Sequence, residues 1–172
     1  MKKLIELNDS DIGLKPILNA ECTPKTSARA IVIKNNLIAL IHVNKDKYYK
    51  LPGGSVEPNE KIKEGLYREI LEEVGCTAKV IAEVGKIVEN RTIGNRKYTS
   101  HCFITKFIKE GKINLTDFET EHGFELIWIS IDKAINFVEN SNPIDYNGKF
   151  NVKRDIIFLT EAKKILKNLK IA

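Results

Sequence analysis

Two apolar periods alternate along the chain. Residues 29–34 and 37–43 are β-branched runs parted by Asn35-Asn36, which predicts two strands joined by a tight hairpin turn. Residues 48–51 continue as a short strand and stop at Pro52-Gly53-Gly54, a strong breaker. Residues 61–74 are good helix formers apart from Gly65, and Gly75 follows as a C-terminal cap would. Longer strands are predicted over 79–89 and 97–109 with Gly94-Asn95 in the turn, and a further strand over 126–130. Residues 132–140 predict a short helix that Asp132 caps, and 151–169 a basic amphipathic one. Before these, residues 1–28 hold one apolar patch (Leu4, Ile5, Leu7) and then Asn, Asp, Pro and Thr, a strand with an irregular lead-in. There is no internal repeat, low-complexity tract or linker. The whole predicts one α/β domain over residues 1–172, its helices packed on a mostly β core.

Composition narrows the class. With 172 residues, 42% hydrophobic and 30% charged, the chain has the balance of a soluble globular protein. A chain of this length buries roughly two-thirds of its unfolded surface, so no staple is required. Cys22, Cys76 and Cys102 form no CxxC pair, which speaks against a disulfide framework or a cysteine zinc site and suits a reducing cytoplasm. No apolar run is long enough for a membrane span. Lys2 and Lys3 meet Glu6, Asn8, Asp9 and Asp11 too soon for a signal-peptide core.

Charge is unevenly spread. The 28 basic and 23 acidic residues leave a net +5. Between Glu57 and Glu73, however, six acids face three bases, so this stretch carries −3 and the remainder +8. On a helix advancing about 100° per residue, Glu69, Glu72 and Glu73 share an arc of roughly 100°. Leu66, Ile70 and Val74 lie on a neighbouring face that can anchor in a core, and Gly65 leaves space on the acidic side. Glu69 and Glu73 are a like-charge i, i+4 pair, and Glu72 and Glu73 oppose the helix dipole. Arg68 can pair with Glu64 or Glu72 but cannot neutralise the cluster alone. Two readings stay open on the residues: a solvated acidic face, or a site for a hard divalent cation. Oxygen ligands without nearby His or Cys suit Mg2+ or Mn2+ rather than zinc.

The pattern Gly54, five residues, Glu60, seven residues, Arg68-Glu69-Ile70, one residue, Glu72-Glu73, one residue, Gly75-Cys76 resembles the signature of the Nudix (MutT-like) hydrolases. Only Cys76 departs, standing where Ile, Leu or Val is usual, and it is itself a small hydrophobe. The resemblance implies an α/β/α sandwich with a mixed central sheet, and hydrolysis within the diphosphate of a nucleoside diphosphate linked to another group X. It implies Mg2+, with Mn2+ as a substitute, held by Glu69, Glu72, Glu73 and the backbone carbonyl of Gly53. Glu69 is a ligand or the general base. Arg68 orients Glu69 and neighbouring acids, with Glu60 as its structural partner. Some members add a glutamate from a loop before a tryptophan-bearing strand. Glu119, Glu121 and Glu125 precede Trp128, and Glu121 is the favoured one, completing a catalytic set of Glu69, Glu73, Arg68 and Glu121. His42, His101 and His122 form no ligand spacing and read as bystanders.

The signature leaves X open. Marks of ADP-ribose, NADH, dinucleoside polyphosphate and coenzyme A members are missing, which favours nucleoside triphosphates, as in house-cleaning pyrophosphohydrolases. The alternatives are an ADP-ribose or nucleotide-sugar pyrophosphatase, and an RNA 5′ pyrophosphohydrolase. RNA would meet the basic C-terminal helix through Lys153, Arg154, Lys163, Lys164, Lys167 and Lys170. Arg29, Arg91 and Arg96 are available for phosphates, and Tyr48 or Phe124 for stacking a base. Other classes are a non-catalytic nucleotide-binding regulator, against which the intact glutamates speak, and an isoprenoid diphosphate isomerase, for which Cys76 is badly placed. Relatives often pair, so a homodimer is also implied.

Overall fold

Alternation along β2 (Thr23–Lys34) decides which helix covers which side of the sheet. Ala28, Ala30 and Val32 face one way and are buried against Leu66, Ile70 and Val74. Ile31 and Ile33 face the other way and join Leu51, Phe150, Phe158 and Leu159. The small alanines allow a helix close to the first face, and the larger apolar side chains fill the second.

The structure, a computed structural model, describes residues 1–169. Around β2 stand β1 (Lys3–Asn8), β3 (Leu37–Val43), β4 (Tyr48–Lys50), β5 (Cys76–Arg91), β6 (Arg96–Glu110) and β7 (Phe124–Ile129). They form one seven-stranded sheet in the order β1-β5-β6-β2-β3-β4, with β7 on the other edge of β3. β1 pairs β5 in parallel and β2 pairs β6 in parallel, while the remaining pairings are antiparallel, so the sheet is mixed. α1 (Ile62–Glu69) packs on one face, and α3 (Ile131–Glu139) and α4 (Tyr146–Leu169) pack on the other. A short α2 (Asp117–Glu121) precedes β7. None of the described helices is long and apolar enough to cross a membrane.

Most predicted elements are present. The Asn35-Asn36 turn has both residues at positive φ (51° and 62°), as a two-residue hairpin of the primed type requires. Four expectations shift. β2 starts at Thr23 rather than at 29, because its polar opening Thr23–Ser27 is paired by Arg96–Ser100 of β6. α4 begins at Tyr146, five residues early, where Asp145 Oδ1 accepts the Gly148 N–H at 2.8 Å. α3 is capped by Ser130 rather than by Asp132, which instead pairs with Lys163 at 2.5 Å. Of the basic helix residues, Arg154 is buried in the core at 1% exposure and Lys170 lies outside the described residues.

The 61–74 helix also divides. α1 ends at Glu69, and Ile70–Val74 continue as a wider π-type turn that closes on Gly75 at φ +64°. A π turn bonds i to i+5, so each residue rotates less than in an α-helix. Glu73 thereby comes under Glu69, while the Glu72 carboxylate lies on Arg68.

Candidate active site

The loop after β4 lies against the start of β2. Gly54 O accepts from Ala28 N at 3.0 Å, Pro52 O accepts from Ala30 N at 2.9 Å, and Val56 N donates to Thr26 O at 2.9 Å. Gly53 sits at φ +126°, and a Cβ there would run into the Ala28 carbonyl. A Cβ at Gly54 would overlap the Glu69 carboxylate. These two glycines therefore let the loop backbone and the α1 acids meet without a side chain between them.

Glu73 is 2% exposed, and its carboxylate accepts Gly53 N–H at 2.6 Å and the Lys50 ammonium at 2.5 Å. Burial pushes its carboxyl above the usual range, opposed by the Lys50 charge and the Gly53 N–H. Lys50 Nζ also lies 3.4 Å from the Gly53 carbonyl oxygen. A buried cation thus bridges Glu73 and Gly53 O, two of the ligands expected from the signature. Carboxylate oxygens of Glu69, Glu73 and Glu119 lie within 4.8 Å of one another. All three are hard oxygen donors, and this spacing fits Mg2+ or Mn2+.

Arg68 holds the surround in place. Its Nε donates to Glu60 Oε1 at 3.0 Å, and the same NH1 nitrogen reaches Glu69 Oε1 at 2.9 Å and Glu72 Oε2 at 3.0 Å. NH2 adds the Ser55 carbonyl at 3.0 Å. The hydrogen bonds it donates to Glu60 first, then to Glu69, raise the guanidinium pKa further. The space beside Gly65 is not open, because the Glu60 carboxylate fills it.

Of the metal residues expected from sequence, Glu69, Glu73 and Gly53 come together, and Glu72 stands outside the three-carboxylate group, on Arg68. Glu121 is not brought to the site. It is exposed and paired with Lys45 at 2.6 Å. Glu119 takes the place instead, for a geometric reason: two residues along a helix is about 200°, so Glu119 and Glu121 point to opposite sides of α2. The signal was present in Thr116-x-x-Glu119, a capping box in which Thr116 N donates to Glu119 Oε2 at 2.7 Å. Lys50 was missed altogether, because a lone lysine in a short strand carries no sign that it is buried.

The acids open into a cleft of about 560 Å3. Arg29, Arg91, Tyr48 and Phe124 all line it, whereas Arg96 is exposed and donates to Asn95 O. Burial pushes the Tyr48 hydroxyl up to about 12, so it stays protonated. On the outer wall Phe118, 62% exposed, stacks on His122 at 4.0 Å between centroids. His122 in turn bonds Asp46 at 2.5 Å and lines the cleft, so it is no bystander in position; His42 stacks on Tyr49 away from the site.

A mixed sheet between helix layers, with a glycine loop and a helix of glutamates against it, is the arrangement expected from the signature. The NUDIX domain family model matches residues 24–148, and the chain belongs to that family. A NUDIX hydrolase from Nitrosomonas europaea has the same fold at a TM-score of 0.56 and 17% identity, over 77% of this chain and 89% of its own. The MutT protein from Methanosarcina mazei Go1 likewise gives 0.56 at 21% identity, over 83% and 98%. An RNA pyrophosphohydrolase from Wolbachia sp. subsp. Brugia malayi (strain TRS) is 31% identical over 102 residues, covering 52% of this chain and 63% of the relative. The match thus leaves more than a third of that relative unspanned.

Proposed function

We propose that the protein is a divalent-metal-dependent pyrophosphohydrolase that cuts within the diphosphate of a small nucleotide, with nucleoside triphosphates as the favoured substrates. The observation that carries this reading is the convergence of Glu69, Glu73 and Glu119 within 4.8 Å beside the Gly53 carbonyl. Glu69, Glu73 and the Gly53 carbonyl would hold Mg2+, with Glu72 beside them on Arg68 and Glu119 as the further acid in place of Glu121. Bound there, the ion would neutralise phosphate charge and lower the pKa of an attacking water. The chain's own residues do the rest. Arg68 fixes the Glu69 carboxylate through one nitrogen, leaving its other oxygen free to accept a proton or a ligand bond. Lys50 holds Glu73 beside Gly53 in the absence of metal. Phe118 and Phe124 offer aromatic faces to a base.

A cleft of about 560 Å3 suits a mononucleotide. A second reading, removal of pyrophosphate from RNA 5′ ends, draws on the relative named for that activity. Against it, the C-terminal helix offers less free charge than its sequence suggests: Arg154 is buried, Lys163 is paired with Asp132 and Lys164 with Glu161. The test is a hydrolysis panel with Mg2+ or Mn2+. It would hold canonical and 8-oxo nucleoside triphosphates, ADP-ribose, a nucleotide sugar, a dinucleoside polyphosphate and a 5′-triphosphorylated RNA. Cleavage of a triphosphate inside its anhydride, lost by about 100-fold in Glu73→Gln, is expected for a key metal ligand. Cleavage of the RNA alone would replace the first reading by the second. No turnover with either ion would leave the non-catalytic regulator.

A further inference from the structure

Arg29 lines the cleft and is not used by the carboxylate centre. It lies on β2 between Ala28 and Ala30, which face α1, so its side chain takes the opposite face with Ser27 and Ile31. It is 9% exposed and lines the cleft with Glu69, Glu73 and Lys50. Its Nε is wholly buried without a hydrogen-bond partner. Among the described residues no carboxylate comes within ion-pair distance of it.

The neighbouring buried charges are already matched. Glu89 accepts from Arg91 at 2.7 Å and from Ser100 at 2.6 Å. Asp155 accepts from Arg154 at 2.7 Å and from the Leu51 N–H at 2.8 Å. Arg29, Arg91 and Arg154 thus stand beside Glu89 and Asp155, three guanidiniums to two carboxylates, and Arg29, which lines the cleft, is the one of the three without an ion pair among the described residues. Asp155 first, then Glu73 and Glu69, attract it from a distance, but Asp155 is already paired with Arg154, and the two glutamates would be committed to a cation once the metal centre is loaded. A buried cation without a partner is costly unless a ligand supplies the counter-charge. A planar fork of N–H donors matches two oxygens of a phosphoryl group better than a single point charge does.

We propose that Arg29 is the docking point for a phosphoryl group of the substrate, gripped through paired N–H donors from the cleft floor without help from the metal. The proposal rests on the phosphoanhydride reading of the site and adds to it a binding position outside the carboxylate centre. It gives the cleft two separate holds on an anionic substrate: a cation at the glutamates, and a fixed guanidinium on β2.

The experiment is calorimetric titration of the full chain with inorganic pyrophosphate in EDTA, on wild type, Arg29→Met and Arg29→Lys, beside KM and kcat for whichever nucleotide the panel cleaves. Wild type is expected to bind pyrophosphate without metal. Arg29→Met is expected to bind it roughly tenfold to hundredfold more weakly, the range of a charged hydrogen bond, with KM rising more than kcat falls. Arg29→Lys keeps the charge but loses the fork and should fall between the two. It also serves as the test if Arg29→Met does not fold. Pyrophosphate binding by Arg29→Met equal to wild type, or by Arg29→Lys if that is the folded variant, overturns the proposal. So does the absence of metal-free binding by wild type. If pyrophosphate binding depends on Arg29 while the panel shows no turnover, the anion site stands and the hydrolase reading falls. If turnover is present and binding ignores Arg29, only this inference fails.

Discussion

At the residue scale, the choice between Glu119 and Glu121 is decided by the side of a five-residue helix. Glu119 lies with Glu69 and Glu73, while Glu121 is exposed on Lys45. Glu119→Gln is therefore expected to lower kcat by about tenfold to hundredfold, the scale for a group that ligates or orients a metal. Glu121→Gln removes one exposed ion pair and should leave both turnover and stability near wild type. Steady-state kinetics of the two variants side by side check this, and equal losses would mean that α2 moves when substrate binds. Gly54→Ala belongs to the same scale. Its methyl group would overlap the Glu69 carboxylate, so activity should fall even though Gly54 has no functional group to lose. Metal titration of the variant, followed by Mn2+ binding, should show weakened affinity.

At the element scale, the π turn brings Glu73 beneath Glu69. Gly75 closes that turn at φ +64°, where a side chain is disfavoured by roughly 1–2 kcal/mol. A Cβ there would also press on the backbone of Ile113 at 2.9 Å. Gly13 provides the comparison, with φ +76° and nothing within 4 Å of an added Cβ. Gly13→Ala should cost only the backbone preference and leave kcat intact. Gly75→Ala should lower Tm further and also reduce kcat, because the strained turn carries Glu73. Thermal unfolding and kinetics on both variants separate the two effects. The same turn shows where sequence reasoning reached and where it stopped. The hairpin at Asn35-Asn36, the breaker at Pro52-Gly53-Gly54 and the cap at Gly75 are local signals, and each stands where the residues put it. The polar start of β2 has no pattern of its own, because its pairing is supplied by β6 from far along the chain. A uniform α-helical wheel groups Glu69, Glu72 and Glu73 on one arc, and the wheel does not show that Glu72 reaches the Arg68 nitrogen that also holds Glu69. Lys50 was illegible for a related reason: its burial comes from Glu73 and Phe124, neither of them a sequence neighbour.

At the scale of the whole molecule, a buried ionic network ties the sheet to α4 directly beneath the cleft. Glu89 of β5 meets Arg91 and Ser100, and Arg154 of α4 lies 3.8 Å from it while holding Asp155, which bonds Leu51 N at the end of β4. Burial pushes the Glu89 carboxyl upward, but Arg154, Arg91 and the Ser100 hydroxyl outweigh it and hold the carboxyl below the usual range. The sign of the pH dependence follows. A carboxyl with a depressed folded-state pKa contributes stability that is complete above its unfolded value, near about 4.3, and is lost as pH falls through the folded value. Glu89→Gln keeps the shape but removes the charge, leaving Arg91 and Arg154 under-neutralised in a region already rich in guanidinium. At pH 7 the variant should be less stable by about 3–5 kcal/mol, the range for breaking a buried pair from one side. Urea unfolding at pH 7, 5 and 3 tests this. The gap between wild type and variant should hold from pH 7 to 5 and narrow toward pH 3, as the wild-type carboxyl gains its proton. A gap that stayed constant down to pH 3 would mean that Glu89 is held by shape and hydrogen bonding rather than by its charge. The floor beneath Arg29 would then carry a larger positive excess than the three guanidiniums and two carboxylates imply.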